Sequence, residues 1–302
     1  MSKKVSRTRT IDYFRANNFL MFLIFSILAV FGHMVLFLVG TIFNIENIAQ
    51  ISIEYLFIVS FTFLMIIAII RHGYLIILLF AIELFIVVHE ETNSLYNLKT
   101  YMYTGFNLNL GYQNAIPGRL PAGGYPIAIA FAWIFLIYAC YNFTNFLFDR
   151  NSPRGVSSWK GIFSRIFFDG MLIWQFSLLV EAVGVDLGWW IYAPKNQPRF
   201  LGLAPMDTLY YYLMVTLLFS SMLRIGEKIF KREKVEIEWL NGFSPLIFLY
   251  FWIFIILLVL FRFGYYHWAF FVGTPSLFIY FGLYWFTWLK PQLEKQFSSE
   301  IS

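Results

Sequence analysis

Long apolar runs separated by short polar stretches set the pattern of this chain. A helix needs ~20 mostly apolar residues to cross a bilayer, and eight runs approach or exceed that length. They are Phe19–Phe43, Ile51–Ile70, Tyr74–Val88 with a continuation through Glu91, Tyr125–Leu147, Ile162–Val183, Thr208–Leu223, Pro245–Phe263 and Tyr266–Leu289. The pattern predicts an all-α, polytopic membrane helix bundle of about eight transmembrane helices, a single domain over residues 1–302. In the last run, Gly273-Thr274-Pro275 predicts a kink, because proline removes a backbone hydrogen bond. Basic residues before Phe19 imitate a secretory leader. The run that follows exceeds the roughly 7–15 residues of a leader's apolar core, so it reads as a retained first helix.

Composition agrees. Of 302 residues, 60% are hydrophobic and 13% charged, with a mean hydropathy of +0.67; soluble domains carry about 25% charged residues. Charge placement predicts orientation. With the N-terminus in the cytoplasm, 17 of the 22 Lys and Arg fall in cytoplasmic segments and 5 outside, namely Lys99, Arg119, Lys195, Arg199 and Arg262. Cytoplasmic loops carry such an excess, so both termini are expected inside, in a prokaryotic cell membrane. The net charge of +5 records this topology and gives no sign of nucleic-acid binding.

The same topology brings the ends of the third and fifth helices to the outer face, followed by the two longest outer loops, about Thr92–Gly124 and Asp186–Met206. Each loop begins with acids, passes tyrosine or tryptophan, reaches Gly and Pro, and enters the next helix. The first contains Glu90-Glu91, Tyr101-Met102-Tyr103 and Gly124-Tyr125-Pro126. The second contains Glu181, Asp186, Trp189-Trp190-Ile191-Tyr192 and Ala204-Pro205. This reads as a degenerate internal repeat with both copies in one orientation, over about 74–147 and 162–223.

Acids at the ends of apolar helices beside indole and phenol rings point to a site, since intramembrane acids are costly. Glu83 and Glu90 are seven residues apart and share a helix face. Trp174 lies one face-repeat below Glu181, and Asp207 opens the sixth helix, where an acid also suits a helix N-terminus. Asp169 is expected to pair with a basic neighbour such as Arg165, four residues earlier. Buried carboxylic acids can donate protons, and aromatic faces stabilise a cation by roughly 0.5–2 kcal/mol each. Such a set suits protonation of an alkene to a carbocation, followed by water addition or proton loss. No cofactor or metal is expected: His33, His72, His89 and His267 are scattered, Cys140 stands alone, and no P-loop, dinucleotide fingerprint or HExxH motif occurs.

These residues resemble the membrane carotenoid hydratases, the family of gamma-carotene and bisanhydrobacterioruberin hydratases. Glu181, Gly188, Trp190 and Tyr192, followed by Gly202-Leu203-Ala204-Pro205, stand at the spacing of its acid, glycine, paired aromatics and proline-led helix entry. Tyr101-Met102-Tyr103-Thr104 and Gly124-Tyr125-Pro126 with Ala132-Trp133 resemble its earlier half. Ala182 and Ser177 stand where that family carries a proline and a second acid. The segment from Pro205 to Tyr210 also resembles an element of the small membrane lycopene cyclases.

The resemblance implies a carotenoid biosynthesis enzyme, a lyase that hydrates a terminal double bond of an acyclic carotenoid or similar polyprenoid. Glu90, Glu181 and Asp186 are the candidate acids. Glu83, Tyr101, Tyr103, Trp174, Trp189, Trp190, Tyr192 and Asp207 would line the substrate. The alternatives are a lycopene-type cyclase, which isomerises, and a lipid or isoprenoid carrier without catalysis. The expected partners are the lipophilic substrate and membrane lipid.

Overall fold

The computed structural model describes residues 31–43, 48–98, 101–103, 109–110, 125–148, 158–192, 199–200, 204–229, most of 248–260 and 268–286, with isolated positions beside them. The protein is all-α. Its helices are α1 (Gly32–Ile42), α2 (Ile48–His72), α3 (Leu75–Thr92), α4 (Ile127–Phe148), α5 (Trp159–Asp186), α6 (Met206–Ile229), α7 (Phe248–Leu257) and α8 (Trp268–Tyr284). Three described stretches are long and apolar enough to cross a membrane: Ile51–Ile69, Ile127–Phe148 and Trp159–Asp186.

Local chemistry sets several boundaries. Gly73, at φ 73°, turns the chain between α2 and α3. The Ser158 side chain accepts a hydrogen bond from the Gly161 N–H at 3.1 Å and so caps α5. At its other end α5 closes in a Schellman motif. Trp189 N–H donates to the Gly184 carbonyl at 2.8 Å and Gly188 N–H to that of Val185 at 3.0 Å, with Gly188 left-handed at φ 68°.

Local details refine the predicted runs. α3 runs on to Thr92 and continues as a π-helical turn, Asn93–Leu98. Tyr125 and Pro126, expected inside the fourth helix, form a short strand before it; proline suits the entry to a helix because its missing N–H is not needed there. Pro275, where a kink is predicted, lies inside α8.

α4 sits at the centre, buried continuously from Ala132 to Thr144. α5 packs most extensively on α6, and α2 lies along α4. Outward faces are apolar. On α3 Leu75, Leu78, Ile82 and Phe85 are exposed, on α5 Phe163, Phe167 and Met171, and on α8 Phe271, Phe278 and Ile279. Apolar surface of that extent suits lipid rather than water.

A buried ion pair ties the central helices together. The Arg224 guanidinium of α6 donates from Nη2 to both carboxylate oxygens of Asp169 on α5, at 2.9 and 2.7 Å, and from Nη1 to Asn145 of α4 at 2.6 Å. It also lies 4.4 Å from the centre of the Tyr141 ring. Asp169 thus pairs across helices rather than with Arg165, whose guanidinium lies 5.7 Å from the Phe148 ring centre. Arg224 reaches the carboxylate from the facing helix with Nε and Nη2 together, the two-bond contact that an arginine fork makes.

Among the described residues three two-stranded antiparallel pieces join the helices: β1 (Tyr101–Tyr103) with β4 (Trp190–Tyr192), β2 (Asn109–Leu110) with β3 (Tyr125–Pro126), and β5 (Arg199–Phe200) with β6 (Ala204–Pro205). They lie beside the ends of α3 and α5 and the starts of α4 and α6, and they organise the site.

Candidate functional site

The stripe that α3 turns inward runs Ile76, Phe80, Glu83, Val87 and Glu91, in steps of three and four residues. Its last member, Glu91, is 4% exposed. The Glu91 carboxyl accepts hydrogen bonds from Trp133 Nε1–H of α4 at 3.0 Å, from the Tyr103 hydroxyl at 3.1 Å, and from the Tyr101 hydroxyl.

Glu181, on α5 and 3% exposed, has the same kind of shell. It accepts from Trp190 Nε1–H at 3.0 Å, from the Tyr212 hydroxyl of α6 at 2.6 Å, and from the Tyr192 hydroxyl. The Schellman turn produces this contact by folding the chain back over α5. Trp190 then lies so close to Gly184 that a Cβ there would overlap the indole ring.

The two shells are joined twice. β1 and β4 pair so that Tyr101 faces Tyr192, Met102 faces Ile191 and Tyr103 faces Trp190. Ring contacts follow, with Tyr101 and Tyr192 5.7 Å apart between centroids and Tyr103 and Trp190 6.1 Å apart. Across the helices, Trp133 stacks on Tyr212 at 4.1 Å. Two carboxyl groups from separate helices therefore share one wall of aromatic rings. Among the described residues neither has a cationic partner.

The phenols of β1 are firm donors. Burial, reinforced by the nearby Glu91 charge, pushes the Tyr101 and Tyr103 hydroxyls well above the ordinary value of 10.0. Both remain protonated at neutral pH and can keep donating to the carboxyl.

Of the predicted residues, the structure brings Glu181, Tyr101, Tyr103, Trp190 and Tyr192 into this cluster. Glu90 is half-buried and accepts from the Ser94 hydroxyl at 2.9 Å; its neighbour Glu91 takes the central place. Glu83 lies deeper on the same stripe. Asp186 is exposed at the last residue of α5. Trp189 is buried, 6.1 Å from the Trp190 ring. Trp174 is half-buried, its indole N–H without a hydrogen-bond partner among the described residues. Asp207 stands in the first turn of α6, and its side chain lies outside the described residues, as do most of the two long loops.

Trp133 and Tyr212 were not singled out as site residues. A signal for them existed, since each lies seven residues beyond the proline that leads into its helix, Pro126 and Pro205. Two helical turns after each proline, a ring donates back to the glutamate near the end of the preceding helix. Among the described residues no group of three or more His, Cys, Asp or Glu side chains could hold a metal ion. No family model, curated protein or solved structure matches the chain.

Proposed function

We propose that the chain is an integral membrane enzyme that hydrates a terminal double bond of an acyclic carotenoid or similar polyprenoid. One observation carries this reading: Glu91 and Glu181, both buried, sit in one ring-lined cluster without a counter-cation among the described residues. A carboxylic acid placed there gives its proton to the less substituted carbon of the terminal alkene. The π electrons form the new C–H bond, and the neighbouring tertiary carbon becomes a cation. Facing aromatic rings stabilise that cation by roughly 0.5–2 kcal/mol each. A water oxygen then forms the C–O bond, and the oxonium proton returns to the carboxylate left by the first step. The sum is alkene plus water to tertiary alcohol, with the acid restored.

The bundle is read as eight spans with both termini in the cytoplasm of a prokaryotic cell, and with the glutamate cluster towards the outer face. The charge asymmetry of the loops supports this orientation. The matched shells of Glu91 and Glu181, and the matched proline-to-ring steps to Trp133 and Tyr212, support an internal repeat. A hydrocarbon substrate of this kind would reach the cluster from the lipid, past the apolar outer faces of the helices.

The test is expression in a host that accumulates an acyclic carotenoid, followed by mass analysis of the pigments. The expected product is heavier than the precursor by one water per reacted end. An isomer of unchanged mass would assign the cluster to cyclisation. Unchanged pigment, with the protein present in the membrane, would exclude both reactions and leave a carrier.

A further inference from the structure

Two turns deeper than Glu91 on the same inward stripe stands Glu83. It is 4% exposed, and among the described residues neither carboxyl oxygen has a hydrogen-bond partner. An ionised carboxylate so placed is very costly, and even a neutral acid loses its hydrogen bonds to water. Such a group persists where something fills the gap. Across from α3, on α6, the Tyr211 hydroxyl is also buried; Glu90 lies beside it at the edge of hydrogen-bonding reach, and Glu91 and Glu83 stand within electrostatic range. The Tyr125 hydroxyl, on the strand that enters α4, is another buried polar group without a partner among the described residues. Ring contacts link these tyrosines to the glutamate cluster: Tyr211 packs edge-on to Trp133 at 5.4 Å, and Tyr125 lies 6.1 Å from Tyr103.

We propose that the Glu83 carboxyl and the Tyr211 hydroxyl hold a water molecule between α3 and α6, and that this water is the nucleophile delivered to the cation formed beside Glu91 and Glu181. The inference rests on the hydration reading for the second of its two parts. Buried water needs two to four polar partners. A carboxyl, which accepts and donates, and a hydroxyl, which does both, supply them. Glu90 lies close enough to Tyr211 to extend the chain of polar groups towards the cluster. Water held in this way has one oxygen lone pair for the new C–O bond. Its surplus proton passes to the carboxylate that gave up a proton in the first step.

Two measurements test the two parts. An experimental structure of the full chain in lipid nanodiscs should show ordered solvent between Glu83 and Tyr211; direct contact between the two side chains, with the gap closed, overturns the site whether or not the protein is active. Product analysis then tests the role, with Glu83→Leu and Tyr211→Phe each compared with the parent protein. Loss of the held water should lower the ratio of hydrated to unhydrated product at least tenfold, because the cation then discharges by losing a proton. An unaltered ratio in both variants overturns the role. Ordered water in a protein that transforms no acyclic carotenoid leaves the site standing and removes the hydration reading alone.

Discussion

Trp133 and Tyr212 stack face to face at 4.1 Å, yet each donates its hydrogen bond to a different glutamate, Trp133 to Glu91 and Tyr212 to Glu181. The stack couples the two acid shells through the centre of the bundle, where α4 meets α6. Phenylalanine removes the donor at either position; at Tyr212 it keeps the ring's shape, and at Trp133 it also trims the indole. Trp133→Phe and Tyr212→Phe should each slow turnover by roughly 10- to 100-fold, the equivalent of one buried hydrogen bond at about 1–3 kcal/mol. The two effects should be similar in size. Initial rates in membranes at matched protein levels measure this, and a loss confined to one variant would mean that a single glutamate acts.

The two glycines of the α5 terminus should separate folding from function. At Gly188 a Cβ meets nothing within 4 Å, so Gly188→Ala carries only the strain of a left-handed backbone, about 1–2 kcal/mol of stability. At Gly184 the added methyl collides with the Trp190 indole and displaces the Nε1–H from Glu181. Gly184→Ala should therefore cost far more activity than Gly188→Ala at comparable melting temperatures in detergent. Equal losses of activity would contradict the placement of Trp190.

This turn also shows what the sequence could reveal and what it could not. The apolar run of α5 and the acid followed by spaced aromatics are visible in order, because run length and short spacing are local signals. The choice between Glu90 and Glu91 was not visible. Seven-residue spacing places Glu90 above Glu83, but the inward stripe steps through Val87 to Glu91, and the hydrogen bonds that select it come from β1 and α4. The pairing of β1 with β4 joins segments almost ninety residues apart, and no local pattern encodes such a contact. Asp169 carries the same lesson: its helical neighbour Arg165 was the local expectation, and the long-range partner Arg224 took its place.

That ion pair is the main electrostatic lock of the central helices. Removing one member leaves an uncompensated buried charge, so Arg224→Met should destabilise the bundle by about 3–5 kcal/mol. Combining it with Asp169→Leu should recover part of the loss, since both charges are then absent. Thermal unfolding in detergent of the two single variants and the double variant measures the recovery. A double variant as unstable as the sum of the singles would show that the two residues act independently.

The raised hydroxyls of Tyr101 and Tyr103 give a pH signature. The folded protein holds them as neutral phenols, whereas the unfolded chain ionises them near 10.0. Their contribution to stability is complete below that value and is lost as pH rises towards the folded value. Stability should thus fall above about pH 10, and Tyr101→Phe should flatten the fall. A pH-stability curve with the same slope in the parent and the variant would place these hydroxyls in water.

The central claim is that Glu91 and Glu181 supply the proton and the anionic partner of one cationic centre. Its most direct measurement is turnover of an acyclic carotenoid by membranes carrying Glu91→Gln or Glu181→Gln, with bound carotenoid quantified in the same preparation. Each variant should retain the bound polyene and lose at least 100-fold in product formation, the scale of removing a general acid. Product formation at the parent rate in either variant would contradict the claim.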